Sequence, residues 1–276
     1  MKKTFILGAS LALVLAGVTS CGGNKNANNA EEAAAAKTDT LTYSTDVFGE
    51  ETAQAVYPVD EEGYTVIFDG TNLNGWRGYG KDHVPERWLL EDSCLHFVRG
   101  EGEGGDIIFA HNFENFDVQF DWKVSEGANS GFFYMGQENK TDEGNLEWLF
   151  VSTPEYQILD NVNHPDAKLG VNGNRQSASL YDLIPAAPQN SKPFGEWNTA
   201  RVVVNNGKVT HYQNGEKVLE YEMWTPEWVE MLQNSKFNEK DLPAAFRLLN
   251  DKHPGFFAFQ DHGDEVWFKN VRVKTL

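Results

Sequence analysis

Apolar and polar residues alternate along much of this chain, and helical periodicity is scarce. Phe116, Val118, Phe120, Trp122 and Val124 share one parity, while Asp117, Gln119, Asp121 and Lys123 take the other. This pattern predicts a strand with one apolar and one polar face. Trp197 to Val204 and Val209 to Leu219 read as two more strands. Asn205-Asn206-Gly207-Lys208 between them tolerates positive φ and predicts a hairpin, and Asn214-Gly215 predicts a second tight turn. Further strands are predicted over Tyr64 to Phe68, Trp88 to Phe97, Ile107 to Phe109, Gly131 to Met135, Tyr156 to Leu159, Phe256 to Gln260 and Val266 to Lys274. About ten strands with long polar loops predict an all-β domain of two packed antiparallel sheets. Thr225 caps a predicted short helix beginning at Pro226, and Asp241 to Leu249, with Pro243 in its first turn, predicts another. Both are expected at the rim of the sandwich.

The first residues follow a different pattern. Lys2 and Lys3 precede an apolar run from Phe5 to Ala16, which ends in Val18-Thr19-Ser20-Cys21. A short apolar run with small residues before a cysteine predicts a bacterial lipoprotein signal over residues 1–20, with Cys21 the acylated new N-terminus. Several acyl chains would anchor the protein to a membrane. Residues 21–56 carry a Gly/Asn stretch and an alanine run and are expected to be a flexible tether. Residues 57–276 are expected to form a single β-sandwich domain. The expected location is the bacterial cell envelope, at the outer membrane.

The formal charge of −18 argues against nucleic-acid partners and is compatible with neutral carbohydrate. With Cys21 acylated, Cys94 has no intrachain partner and reads as a buried thiol in a strand. The chain has no Cys-x-x-Cys, no His-Glu-x-x-His, no dinucleotide fingerprint and no phosphate loop. The acidic stretch Gly100 to Asp106 offers Ca²⁺ ligands but reads as a mobile loop.

Three polar clusters could carry chemistry. In Glu155-Tyr156-Gln157-Ile158-Leu159-Asp160-Asn161, strand geometry puts Glu155 and Gln157 on one face and Tyr156 and Ile158 on the other. A carboxylate beside an amide suits sugar hydroxyls, acid–base work or a metal. Asp160 could join them, or it could be a turn residue with Asn161. In Gln260-Asp261-His262-Gly263-Asp264, His262 can exchange a proton near neutral pH, and Asp261 can accept hydrogen bonds. Asn129 and Ser130, within Gly127 to Tyr134, offer neutral polar groups where a tight turn is the competing reading. His164 could reach a site near Asp160, and His211 reads as structural. Trp76, Trp88, Trp148 and Trp224 are candidate sugar platforms.

Taken in order, several segments make the chain resemble the bacterial 3-keto-disaccharide hydrolases. They are Val66 to Trp76, Asn129-Ser130-Gly131-Phe132, Glu155 to Asn161, Gly195-Glu196-Trp197-Asn198, Asn214-Gly215, Gln260-Asp261-His262-Gly263 and Val266 to Val271. The resemblance spans about Tyr64 to Leu276 and implies a concanavalin A-like jelly roll of two antiparallel sheets with short peripheral helices. It places Glu155, Gln157, Asp160 and His262 among the family's polar site residues. Two features depart from the family: no arginine follows the Asn-Ser-Gly turn, and Phe256-Phe257-Ala258-Phe259 is unusually aromatic. The implied chemistry acts on 3-keto glycosides: C2 proton abstraction, departure of the C1 group, and addition of water.

Glu155, Asp160 and His262 are the expected catalytic residues, with Gln157, Asn129, Ser130, Asp261 and Trp148 binding substrate. Glu155 and His262 could also hold a divalent metal, Ca²⁺ or a transition metal, to polarise the ketone. Two alternatives are a surface glycan-binding module without catalysis and a conventional glycosidase, the latter pairing Glu155 with Asp117 or Asp121.

Overall fold

The structure, a computed structural model, describes residues 36–242 and 244–276. The signal segment, Cys21 and the first part of the expected tether lie outside the described residues, as does Pro243. The described strands, in chain order, are β1 (Thr38–Ser44), β2 (Thr52–Pro58), β3 (Thr65–Phe68), β4 (Trp76–Gly78), β5 (Trp88–Glu91), β6 (Cys94–Phe97), β7 (Ile107–Phe113) and β8 (Phe116–Val124). They continue with β9 (Asn129–Gly136), β10 (Glu155–Leu159), β11 (Asn198–Asn205), β12 (Lys208–Gln213), β13 (Glu216–Glu222), β14 (Gly255–Phe259) and β15 (Val266–Thr275). The α-helices are short: α1 (Leu149–Ser152), α2 (Pro226–Gln233) and α3 (Ala245–Asn250).

All the pairings are antiparallel. The smaller sheet runs β10-β9-β14-β7-β4, and the larger runs β13-β12-β11-β8-β15-β6-β5, with β3 also paired to β15. These are the two packed sheets that the alternation predicts, in the jelly-roll class that the resemblance implies. The apolar parity of β8 is fully turned into the space between the sheets, where it meets Phe132 and Tyr134 of β9, Tyr156 and Ile158 of β10 and Phe257 and Phe259 of β14. Phe259 spans the sheets, stacking on Phe268 at 3.8 Å and on Trp76 at 5.6 Å between ring centroids. Each such aromatic contributes roughly 1.5–3 kcal/mol by leaving water.

Several expectations need correction. The tether does not extend to residue 56, because β1 and β2 pair along their whole length from Thr38↔Pro58 to Ser44↔Thr52. That hairpin is tied down by Arg77, whose Nε donates to the Ser44 carbonyl and whose guanidinium makes a two-pronged pair with Glu138 at 2.7 and 2.6 Å. Trp88 to Phe97 is a hairpin, not one strand, because Asp92 and Ser93 take φ of 49° and 57° and reverse the chain. Val209 to Leu219 likewise divides at Asn214-Gly215, where the second turn was expected. β4 and α1 were not foreseen. The helix at Pro226 forms as expected, with the Thr225 hydroxyl accepting from the Trp228 N–H. The next helix begins at Ala245, later than Asp241. Cys94 is buried in β6. Trp76 and Trp88 are core residues, which removes them as sugar platforms.

A candidate active site on the outer face of the small sheet

Residues of β9 and β10 that do not face the large sheet point to the opposite side. There Ile108, Ala110, Phe133, Leu149, Phe256 and Ala258 form a second, smaller apolar cluster. Beside it opens a cavity of about 500 Å³, within the range of small-molecule sites. Its walls come from eight segments of the chain. β9 gives Asn129; β10 gives Glu155 and Gln157; the segment before and within α1 gives Trp148, Leu149 and Phe150. Gln260, Asp261 and His262 follow β14, and Tyr79, Lys81, Gly105 and Asp106 lie near β4 and β7. Tyr181, Lys236 and Phe237 complete the lining.

Tyr181 is held there by the edge of β10. The Tyr181 N–H donates to the Glu155 carbonyl at 3.0 Å, and the Ala178 N–H donates to the Gln157 carbonyl at 2.8 Å. This segment covers the free edge of the sheet while adding a wall to the cavity.

Glu155 is the central ionisable group. Burial pushes its carboxyl up to about 8, with Lys236 opposing and the charges of Asp106 and Asp166 adding to the rise. Its side chain lies over Gly131, where a Cβ would come within 2.3 Å of Oε1. Gly131 therefore leaves the space that the carboxylate occupies. Gln157 turns its carbonyl oxygen to the Ile158 N–H at 2.8 Å, which leaves its amide N–H groups for the cavity. The Asn129 side-chain oxygen is buried with no hydrogen-bond partner, an acceptor that a ligand hydroxyl would satisfy.

Asp106 is a second carboxyl in the cavity. Burial pushes it up to about 7; the Asp261 N–H, donating to Oδ1 at 2.8 Å, opposes the rise, and the charge of Asp261 adds to it. Asp261 in turn accepts from the Gly105 N–H at 2.7 Å. The end of the Gly100–Asp106 stretch is thus clamped into the site, contrary to the expectation of a mobile loop. Trp148 stands at the lip, 68% exposed, with its ring 5.4 Å from that of Phe150.

Of the residues singled out from sequence, Glu155, Gln157, Asn129, Asp261, His262 and Trp148 converge on this cavity. Asp160 and Ser130 do not line it. The Asp160 carboxylate accepts from the backbone N–H groups of Gly127, Val162 and Asn163 and from the Asn163 side chain, so it organises a turn. Although burial works against it, those bonds hold its pKa below the ordinary carboxylate value. Ser130 has the opposite parity to Asn129, and its hydroxyl donates to the Gln260 carbonyl. Asp117 and Asp121 lie on the large sheet, paired with Arg201 and Asn270, and supply no partner for Glu155. His211 is buried between Tyr134 and the Ala178 carbonyl, as its structural reading implies.

His164, His262 and Asp264 bring one donor atom each within 4.8 Å of one another, a cluster that could coordinate a metal ion. Glu155 is not part of it. Burial and the neighbouring His262 lower the His164 pKa, which favours the neutral imidazole that metals need. Asp264 already accepts from Arg99 at 2.6 Å and from the Asn129 N–H at 3.0 Å.

The residues missed in the sequence were Asp106, Lys236, Tyr181, Tyr79 and Phe150. Asp106 sits in a glycine-rich stretch and Lys236 in a helical insertion, far along the chain from Glu155.

A family model described as a 3-keto-alpha-glucoside-1,2-lyase-like domain matches residues 63–274. The chain is 53% identical over 292 aligned residues to the 3-keto-disaccharide hydrolase of Bacteroides thetaiotaomicron, covering 100% of both chains. It is also similar to a crystal structure from Parabacteroides distasonis described as a candidate glycosyl hydrolase, with 30% identity and a TM-score of 0.66 over 78% of this chain and 95% of that one. A second crystal structure from the same organism, at 24% identity and a TM-score of 0.57, covers 77% of this chain and 99% of its own and shares the fold.

Proposed function

The chain belongs to the 3-keto-alpha-glucoside-1,2-lyase-like family, a glycoside-processing group, and on that premise we propose that it cleaves 3-keto glycosides by elimination across C1–C2 followed by hydration. The observation that carries this reading is that two buried carboxyls, Glu155 and Asp106, line one cavity, and that Asp106 alone of the two accepts a backbone N–H, from Asp261. Burial favours the protonated form of both, and the N–H bond favours the ionised form of Asp106, so the pair divides into an acid and a base.

Asp106, whose ionised form the Asp261 N–H stabilises, serves as the base. A ketone at C3 acidifies the C2 proton, so Asp106 takes it and the electron pair enters the C3 enolate. When the ketone re-forms, the C1–C2 double bond forms and the C1–O bond breaks. Glu155, still protonated, delivers its proton to the departing oxygen. Water then adds across C1–C2, with its oxygen at C1 and a proton at C2, to complete net hydrolysis. Gln157 and Asn129 orient the sugar through hydroxyl hydrogen bonds. Trp148 gives the leaving sugar an apolar platform.

His164, His262 and Asp264 would hold a divalent ion, and two imidazoles with one carboxylate suit a transition metal better than Ca²⁺. Such an ion would supply Lewis-acid polarisation of substrate oxygens at the His262 side of the cavity.

Product release from a 3-keto glucoside and from its unoxidised parent tests this function, with and without chelator. Cleavage confined to the keto form, and reduced roughly a hundredfold or more in Glu155→Gln, is the expected result. Equal cleavage of both forms would return the site to conventional glycosidase chemistry, and cleavage of neither would favour a binding module.

We also propose that the domain is carried at the cell envelope by acyl chains on Cys21, a reading supported by the signal-like pattern of residues 1–20. Metabolic labelling with a fatty acid should mark the wild-type chain and fail to mark Cys21→Ser.

A further inference from the structure

The cavity is rich in carboxyls, and the reaction proposed above creates another negative charge, on the C3 oxygen of the enolate. Among the described residues that line it, the lysines are Lys81 and Lys236. Lys81 is committed to Glu103, with Nζ 2.9 Å from Oε1. Lys236 has no ion pair among the described residues. Its Nζ sits 4.1 Å from the Tyr181 ring centroid, over the wall that runs along the edge of β10. It reaches the cavity from the short 3₁₀ turn Lys236–Asn238 between α2 and α3, whose start is fixed by the Ser235 hydroxyl accepting from the Phe237 N–H.

We propose that Lys236 is the cation that stabilises the C3 enolate oxygen, and so is a catalytic residue of the elimination proposed above, on which this inference rests. The ammonium donates a hydrogen bond as negative charge develops and gives up no proton, so the electron and proton balance of the step is unchanged. An ammonium held in a partly desolvated wall acts most strongly on a charge that exists only along the reaction path.

The surrounding charges agree with this role. Burial lowers the Lys236 pKa, Asp182, Glu155 and Asp166 hold the ammonium charged against it, and Arg175 adds to the lowering. Glu155 in turn faces Lys236, Asp106 and Asp166, and Lys236 is the charge that favours its ionised form. Lys236 thus bears on both the enolate and the acid that protonates the leaving group.

The test compares wild type, Lys236→Met and Lys236→Arg on one 3-keto glucoside across pH. Methionine keeps the packing over Tyr181 without the charge; arginine keeps the charge. Expected for Lys236→Met is a fall in kcat of roughly 100- to 1,000-fold with KM changed only a few-fold. The high-pH limb of its activity should also move upward, because Glu155 loses the cation that helps it ionise. Lys236→Arg should recover part of kcat and restore the limb. Lys236→Met with wild-type kcat, or with an unshifted limb, would overturn the proposal while leaving the elimination intact. Borohydride trapping of a sugar on Lys236 would overturn it in favour of a covalent imine. A wild-type enzyme that leaves the keto substrate untouched would fail the parent reading itself.

Discussion

Replacing Gly131 by alanine should separate the site's chemistry from the fold's stability. The added Cβ would lie 2.3 Å from Glu155 Oε1, 2.9 Å from its Cδ and 3.0 Å from its Cγ, whereas ordinary contact begins at 3.4 Å. The carboxyl must therefore retreat by about 1 Å. Gly131 has no positive φ that alanine would strain, and the atoms it meets belong to the end of a movable side chain. The fold should tolerate the change, and reduced freedom of the unfolded chain offers roughly 0.4–1 kcal/mol of stabilisation. A misplacement of about 1 Å costs on the order of 100-fold in rate, or about 2.7 kcal/mol of transition-state stabilisation. The assay pairs thermal unfolding with steady-state turnover of a 3-keto glucoside. An unchanged or higher Tm with kcat reduced roughly a hundredfold is expected. A Gly131→Ala enzyme that turns over like wild type would refute the placement of Glu155 at the reacting bond.

Two further outcomes follow from the same structure. Turnover should be bell-shaped in pH: it rises as Asp106 loses its proton through about 7 and falls as Glu155 loses its own through about 8, so a pH–rate profile should peak between them. A profile still rising above pH 9 would contradict the assignment of Glu155 as the acid. Glu138→Ala should destabilise the domain by about 3–5 kcal/mol, because it strands the buried Arg77 guanidinium, and denaturant unfolding would measure the loss.

Elements with strong local patterning were legible in the sequence. β8 could be read to the residue because every second side chain is a large apolar group buried between the sheets. The Thr225 cap and Pro226 marked α2 in the same way. β1 and β2 escaped notice because few of their residues are buried, Leu41 and Tyr57 being the buried apolar ones, and the hairpin depends on Arg77 and Glu138 from distant parts of the chain. The break at Asp92-Ser93 carried a usable signal, since both residue types favour turns, but the flanking alternation masked it.

The site divides along the same line. Glu155 and Gln157 share a face by strand parity alone, which the sequence states directly. Asp160 shows the limit of that reasoning: the strand ends at Leu159, and the next carboxylate turns to backbone N–H groups. Asp106 and Lys236 were hidden because each sits in a segment whose composition reads as solvent-facing. Only the packing of the Gly105–Asp261 contact and of the helical insertion brings them beside Glu155.

The most direct test of the central claim is the fate of the C2 hydrogen. A 3-keto glucoside would be turned over in D₂O and the released 3-keto sugar analysed by mass spectrometry or NMR, against a no-enzyme control for solvent exchange. Elimination followed by hydration predicts deuterium at C2 beyond the control, because the original hydrogen leaves to Asp106 and a solvent one returns. Product that keeps its original C2 hydrogen would mean direct displacement at C1 and would contradict the account.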